Sequence, residues 1–234
     1  MLKVKNLSAG YGDIQILFNV SMEIKDGEVV ALIGANAAGK TTTIKCISGL
    51  IKEISGEIYF EGKKINNIPA YERVNLGLIQ VCEGRSLFPM MTVQENLYLG
   101  AYSKRARKKL NESLETVYEL LPDLYTKKSQ LAGSLSGGQQ QMVAIGRGLM
   151  GVPKILIMDE PSLGLAPVIT QRVFEIIEKI KEQGTTVLLV EQNVVKTLEL
   201  ADRGYVMENG RIIMNEEAKS LLRNDNLRKA YMGI

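Results

Sequence analysis

The sequence predicts an α/β fold: a core of parallel strands joined by helices, an N-terminal antiparallel β sub-domain and an inserted helical sub-domain. Three observations carry this expectation. Residues 28–33, 78–82, 155–158 and 186–190 are short apolar runs of the kind seen in strands buried on both faces. A helical stretch over 168–181 separates the last two, which is the alternation that joins parallel strands. Between Thr92 and Met150 the apolar spacing turns helical without a convincing strand.

In chain order, residues 2–7 and 15–24 alternate with period two and have turn residues between them, so they read as two opening strands. The run 28–33 ends in a glycine loop, and a helix begins near Lys40. Residues 1–90 and 151–234 are expected to form the core with its β sub-domain, and residues 91–150 the helical insertion. Near the end, Asn209-Gly210 stands between two β-type runs within 205–213, a strong signal for a type I′ hairpin. Internal repeats and low-complexity segments are absent from the sequence.

A chain of 234 residues with 45% hydrophobic content has ample material for a buried core. No run of eighteen apolar residues occurs, and the opening Met1-Leu2-Lys3-Val4-Lys5-Asn6 lacks the character of a signal peptide, so a cytosolic chain is expected. Cys46 and Cys82 stand alone without a C-x-x-C partner, which argues against a disulfide framework or a zinc site and for small core residues. The net charge is +3, with a basic run at 104–109 that reads either as a solvated helix face or as a contact for an acidic partner, nucleic acid or anionic membrane.

Three constellations carry chemistry. Gly34-Ala35-Asn36-Ala37-Ala38-Gly39-Lys40-Thr41 fits G-x-x-x-x-G-K-[ST] where a strand feeds a helix. In that setting the loop N–H groups and the helix N-terminus, continued by Thr42, bind phosphate oxygens; Lys40 neutralises β/γ charge and Thr41 offers a hydroxyl to Mg²⁺. The run 155–158 then delivers Asp159 and Glu160. Asp159 is placed to hold Mg²⁺ through water, and Glu160 to orient and deprotonate an attacking water. Finally, Leu135-Ser136-Gly137-Gly138-Gln139 precedes a helix and reads either as a plain cap or as a second anion site with Ser136 as hydroxyl donor. One nucleotide has no use for both phosphate-type surfaces unless the second serves a neighbouring molecule.

Phosphate loop, LSGGQ and hydrophobic-Asp-Glu, in that order, resemble the ATP-binding subunit of an ABC transporter over essentially the whole chain. The resemblance implies a P-loop NTPase with a RecA-like parallel-sheet core, ATP and Mg²⁺ as cofactors, and a head-to-tail dimer with a second ATPase subunit, a copy or a paralogue. In that dimer Ser136, Gly137, Gly138 and Gln139 close on the nucleotide held by the partner's loop. It further implies adenine stacking on Tyr11, communication across the dimer through Ser162-Leu163-Gly164-Leu165, and contact with two membrane permease subunits near 87–96. Peripheral attachment to the cytoplasmic face of the membrane follows.

Three positions depart from the usual pattern. Ala37 replaces a common glycine; if the backbone there needs φ > 0, alanine costs about 1–2 kcal/mol. Glu83 replaces the glutamine that senses Mg²⁺, where an anion either binds metal or pairs with Arg85. Gln192 replaces the histidine that contacts the γ-phosphate, leaving Glu160 as the candidate base in a chain with no histidine at all. Val81-x-Glu83-Gly84-Arg85, 162–167 and Val190-Glu191-Gln192-Asn193 are together similar to the LivF-type subunits of branched-chain amino-acid importers, which implies an extracytoplasmic binding protein as an indirect partner. Importers for urea or other amides have much the same look. The competing class is a soluble ABC ATPase acting on nucleic acid or ribosomes through the run 104–109; the absence of a second cassette or a long coiled-coil insertion argues against it.

Overall fold

The computed structural model describes residues 1–229. Strands β1 (Leu2–Tyr11), β2 (Ile14–Ile24), β4 (Ile54–Phe60) and β5 (Lys63–Lys64) form a four-stranded sheet in the order β2-β1-β4-β5, antiparallel throughout. The second sheet has six strands in the order β10-β9-β3-β8-β7-β6: β3 (Val29–Ile33), β6 (Leu78–Val81), β7 (Ile155–Asp159), β8 (Thr186–Glu191), β9 (Arg203–Glu208) and β10 (Arg211–Glu217). Its strands run parallel except for β10, which returns antiparallel to β9. The turn between them has φ of +46° at Asn209 and +73° at Gly210, as the Asn-Gly pair predicts.

Each parallel strand feeds two cores at once. Val29, Ala31 and Ile33 of β3, Val187 and Leu189 of β8, and Leu156 and Met158 of β7 join the core under the helical face. The alternate residues Val30, Leu32, Leu188, Val190, Ile155 and Ile157 join the core between the two sheets. Period-two side-chain alternation sends successive residues to opposite faces, so a strand covered on both faces must be apolar at every position.

Helix α1 (Lys40–Ser48) lies in the second of these cores through Ile44, Cys46 and Ile47. Between Thr92 and Met150 the described elements are helices α3 (Val93–Gly100), α4 (Lys104–Arg107), α5 (Leu110–Leu120), α6 (Pro122–Thr126) and α7 (Gly137–Met150), with a short 3₁₀ turn and one isolated bridge between Thr92 and Leu131. The remaining helices are α2 (Ala70–Leu76), α8 (Pro167–Glu182), α9 (Val194–Leu200), α10 (Ala218–Arg223) and the single turn α11 (Asp225–Leu227).

The structure corrects four points of the sequence reading. The opening strand runs to Tyr11 rather than 7, and β4 was not anticipated. Bulges explain both: Asn6 and Asn19 have φ of +49° and +54°, and Gly56 in β4 has φ of +89° with room for no side chain, since a Cβ there would stand 2.4 Å from the Asn6 carbonyl. Each such residue breaks the alternation on which strand recognition depends. Cys46 is buried as expected, but Cys82 is exposed, just beyond the end of β6. The basic run is no uniform solvated face, because the Arg105 guanidinium turns inward to donate to the carbonyls of Gly151 (3.3 Å) and Val152 (2.5 Å).

Candidate active site

The glycine loop between β3 and α1 lines a cleft of about 510 Å³ with residues 36–42, Ile16, Glu83, Glu160, Leu163 and Gln192. The loop's shape follows from two left-handed residues. Gly39, at the helix start, has φ of +107°, and Ala37 has φ of +64°. The φ of Gly39 strains any side chain, and a Cβ there would also press on the Leu17 side chain at 2.8 Å, so the position favours glycine. Ala37 meets the condition under which alanine is strained, at a cost of about 1–2 kcal/mol.

Lys40 is curled over its own loop, donating to the carbonyls of Gly34 (2.8 Å) and Ala35 (3.1 Å). Its Nζ also lies 3.5 Å from Oε1 of Glu160, with both side chains 6% exposed. Glu160 follows the last residue of β7 with φ of +49°, and its N–H is held by the Val190 carbonyl of the neighbouring strand at 2.9 Å. Such a backbone persists only where its surroundings over-determine it, a pattern concentrated at functional sites. Burial pushes the Glu160 carboxyl above the ordinary range; Lys40 opposes this and the nearby Glu191 adds to it. Gln192 also approaches this carboxylate, yet Oε2 of Glu160 is buried without a hydrogen-bond partner.

Asp159 turns the other way. Its Oδ1 accepts from the Thr41 hydroxyl at 3.5 Å, and its carboxyl is pushed up by burial and then by the charge of Glu83, against the pull of Thr41 and Lys40. Two carboxylates and a hydroxyl converging in this way are oxygen donors suited to a hard divalent cation, whose charge would relieve their mutual repulsion. Glu83 lines the cleft and forms no ion pair with Arg85. Arg85 instead lies against Gly137 and reaches the Gln140 side-chain amide oxygen at 3.4 Å.

Ser136 and Gln139 form a reciprocal capping box at the start of α7. The Gln139 N–H donates to the Ser136 hydroxyl (3.4 Å), and the Ser136 N–H to the Gln139 side chain (3.1 Å). Neither these residues nor Gly137 and Gly138 line the phosphate-loop cleft, so residues 136–139 lie apart from it. Tyr11, at the end of β1, is 49% exposed with the Lys45 ammonium 5.9 Å from its ring centroid, so it is no core packing residue. Sequence reasoning missed Ile16, which in its segment is indistinguishable from an ordinary apolar position, and named Leu163 only in the loop 162–165, without placing it on the cleft. It also missed Glu191, whose signal was an acid continuing an apolar strand and whose side chain is 1% exposed.

Parallel sheet, strand-to-helix phosphate loop and paired carboxylates at the end of β7 define a P-loop ATPase. The ABC transporter family model matches residues 17–163. The high-affinity branched-chain amino acid transport ATP-binding protein BraG of Pseudomonas aeruginosa is 47% identical over 233 residues, covering all of both chains. By these two matches the chain belongs to the ABC transporter family. Among solved structures, an ATP-binding cassette of an ABC transporter in its ADP conformation aligns with a TM-score of 0.86 at 32% identity, over 100% of this chain and 99% of that one. A second cassette, solved as a dimer in a post-hydrolysis state with ADP and Pi, aligns with a TM-score of 0.79 at 28% identity, over 93% and 99%.

Proposed function

We propose that this chain is the ATP-hydrolysing subunit of an importer for branched-chain amino acids. The observation that carries the catalytic part is Glu160: a buried carboxylate at the rim of the phosphate loop, paired through one oxygen to Lys40 and with its other oxygen unpartnered. That free oxygen is where an attacking water would be held and deprotonated, and burial raises the carboxyl toward the range of a useful base. Residues 34–42 bind the phosphates, with Lys40 transferring its hydrogen bonds from loop carbonyls to β/γ oxygens. Thr41, Asp159 and Glu83 would hold Mg²⁺, which supplies charge neutralisation between the phosphates. Gln192 donates an N–H to the γ-phosphate, and Tyr11 stacks on adenine.

The second surface, 136–139, serves the nucleotide of a neighbouring cassette in a head-to-tail dimer, which accounts for two phosphate-type surfaces in one chain. Residues 91–150 act as the helical sub-domain that carries this surface. Closure of the dimer drives two membrane permease subunits through residues 83–96, where Phe88 and Met90 are exposed. No helix among the described residues is long and apolar enough to cross a membrane, so membrane attachment at the cytoplasmic face goes through those partners. The solute assignment rests on 47% identity, over the full length of both chains, to a branched-chain amino acid transport protein. ATP hydrolysis by the transporter assembled from this chain, its permeases and its binding protein tests it. Stimulation by leucine, isoleucine or valine is expected; stimulation by urea or an amide alone would reassign the solute.

A further inference from the structure

Glu191 stands at the end of β8, in the middle of the buried sheet, with only 1% of its surface exposed. None of the ion pairs among the described residues includes it. A buried carboxylate without a cation is destabilising unless hydrogen-bond donors replace its water, and an apolar residue would serve the strand better. The donors are two backbone N–H groups from different loops. Oε1 accepts from Ser162 at 2.8 Å, and Oε2 accepts from Gln192 at 3.2 Å. Charge-assisted bonds of this kind are the strong ones.

The two donors belong to the two segments that flank the reaction centre. Ser162 opens the loop 162–165, whose Leu163 lines the cleft, and the Leu163 N–H bonds the Glu160 carbonyl at 3.1 Å. Gln192 also lines the cleft and is followed by Asn193, which caps α9 through the Lys196 N–H at 3.2 Å. We propose that Glu191 is a positioning residue that locks the loop 162–165 to Gln192, so that nucleotide contact at Gln192 and docking of the loop on a second cassette occur as one event. The proposal rests on the assignment of Gln192 and Glu160 made above.

The test uses the full chain carrying Glu191→Ala, Glu191→Gln or Glu191→Asp, measured for steady-state ATP hydrolysis, equilibrium ATP binding, thermal unfolding and amide exchange over 161–165. Glu191→Ala is expected to lower kcat about 10–100-fold, the scale of a small misplacement of reacting groups. ATP affinity stays within about 3-fold, because the interaction lost is one realised only when the catalytic arrangement assembles. Exchange over 161–165 accelerates, and Glu191→Asp recovers part of both effects. A kcat within about 2-fold of the parent, or unchanged exchange in that loop, overturns the proposal, as does loss of ATP binding in step with kcat. If Glu191→Ala does not fold, the isosteric Glu191→Gln carries the same comparison, since its amide cannot accept both N–H groups. Glu160→Gln separates the two assignments: if it hydrolyses normally while Glu191→Ala slows kcat and frees the loop, the base assignment fails and the lock stands.

Discussion

Lys40 and Glu160 form a buried ion pair at 3.5 Å, joining the residue proposed to grip phosphate to the residue proposed to activate water. On the proposed function, phosphate oxygens would compete with Glu160 for one ammonium group, so nucleotide binding would free the carboxylate as it fills the loop. Lys40→Ala removes both the phosphate contact and the counter-charge of a buried carboxylate, which is strongly destabilising to leave alone. ATP binding by equilibrium titration is expected to fall below detection, with turnover lost; undiminished hydrolysis would contradict the phosphate-loop assignment.

The contact proposed between Gln192 and the γ-phosphate is a hydrogen bond to a charged group, worth about 1.5–3 kcal/mol. Gln192→Ala should therefore slow hydrolysis about 10–100-fold while ATP affinity changes little. Gln192→His keeps an N–H donor and should retain most of the rate. Equal loss in both variants, read from kcat and Kd side by side, would show that the shape of glutamine rather than its donor is required.

Ala37 holds φ of +64° in the phosphate loop. Ala37→Gly relieves about 1–2 kcal/mol of backbone strain but adds freedom to the unfolded chain, about 0.4–1 kcal/mol in the other direction. Scanning calorimetry should show Tm rising by about 1–4 °C. A lower Tm would mean that the loop is not strained at this residue.

Glu28 and Arg203 tie the start of β3 to β9 by two hydrogen bonds of 2.9 and 3.0 Å, and Arg203 also reaches the Glu23 carbonyl in β2. Burial alone would raise the Glu28 carboxyl, but hydrogen bonds from Arg203 and the Lys25 N–H outweigh it and hold the group below its ordinary range. The folded state therefore binds this proton less readily than the unfolded chain. The resulting stability is present above the unfolded carboxylate value and is lost as pH falls through the depressed folded one. Glu28→Gln should lower Tm by about 2–6 °C near neutral pH. The gap from the parent should close in acid below the carboxylate range; a gap independent of pH would assign the effect to packing.

Much of this was legible in the sequence because the signals are contiguous. The apolar runs of β3, β7 and β8 reveal strands covered on both faces, and the phosphate loop and Asp159-Glu160 sit at their ends. What stayed hidden depends on backbone conformation or on contacts between distant segments. The left-handed Asn6, Asn19 and Gly56 interrupt alternation, which concealed β4 and the full length of β1. Glu191 was visible only as part of a polar cluster after an apolar run. Its engagement with Ser162, 29 residues away, comes from two adjacent parallel strands ending side by side, which no local pattern encodes.

Glu160→Gln puts the central claim to the most direct test. Replacing the carboxylate by an amide keeps shape and removes the base, a change expected to slow hydrolysis about 10²–10⁴-fold. ATP binding should persist, so light scattering in ATP and Mg²⁺, with the second cassette present if the pair is made of paralogues, should show a long-lived dimer that releases no phosphate. Phosphate release at the parent rate, or a chain that remains monomeric in ATP beside its partner cassette, would contradict the account.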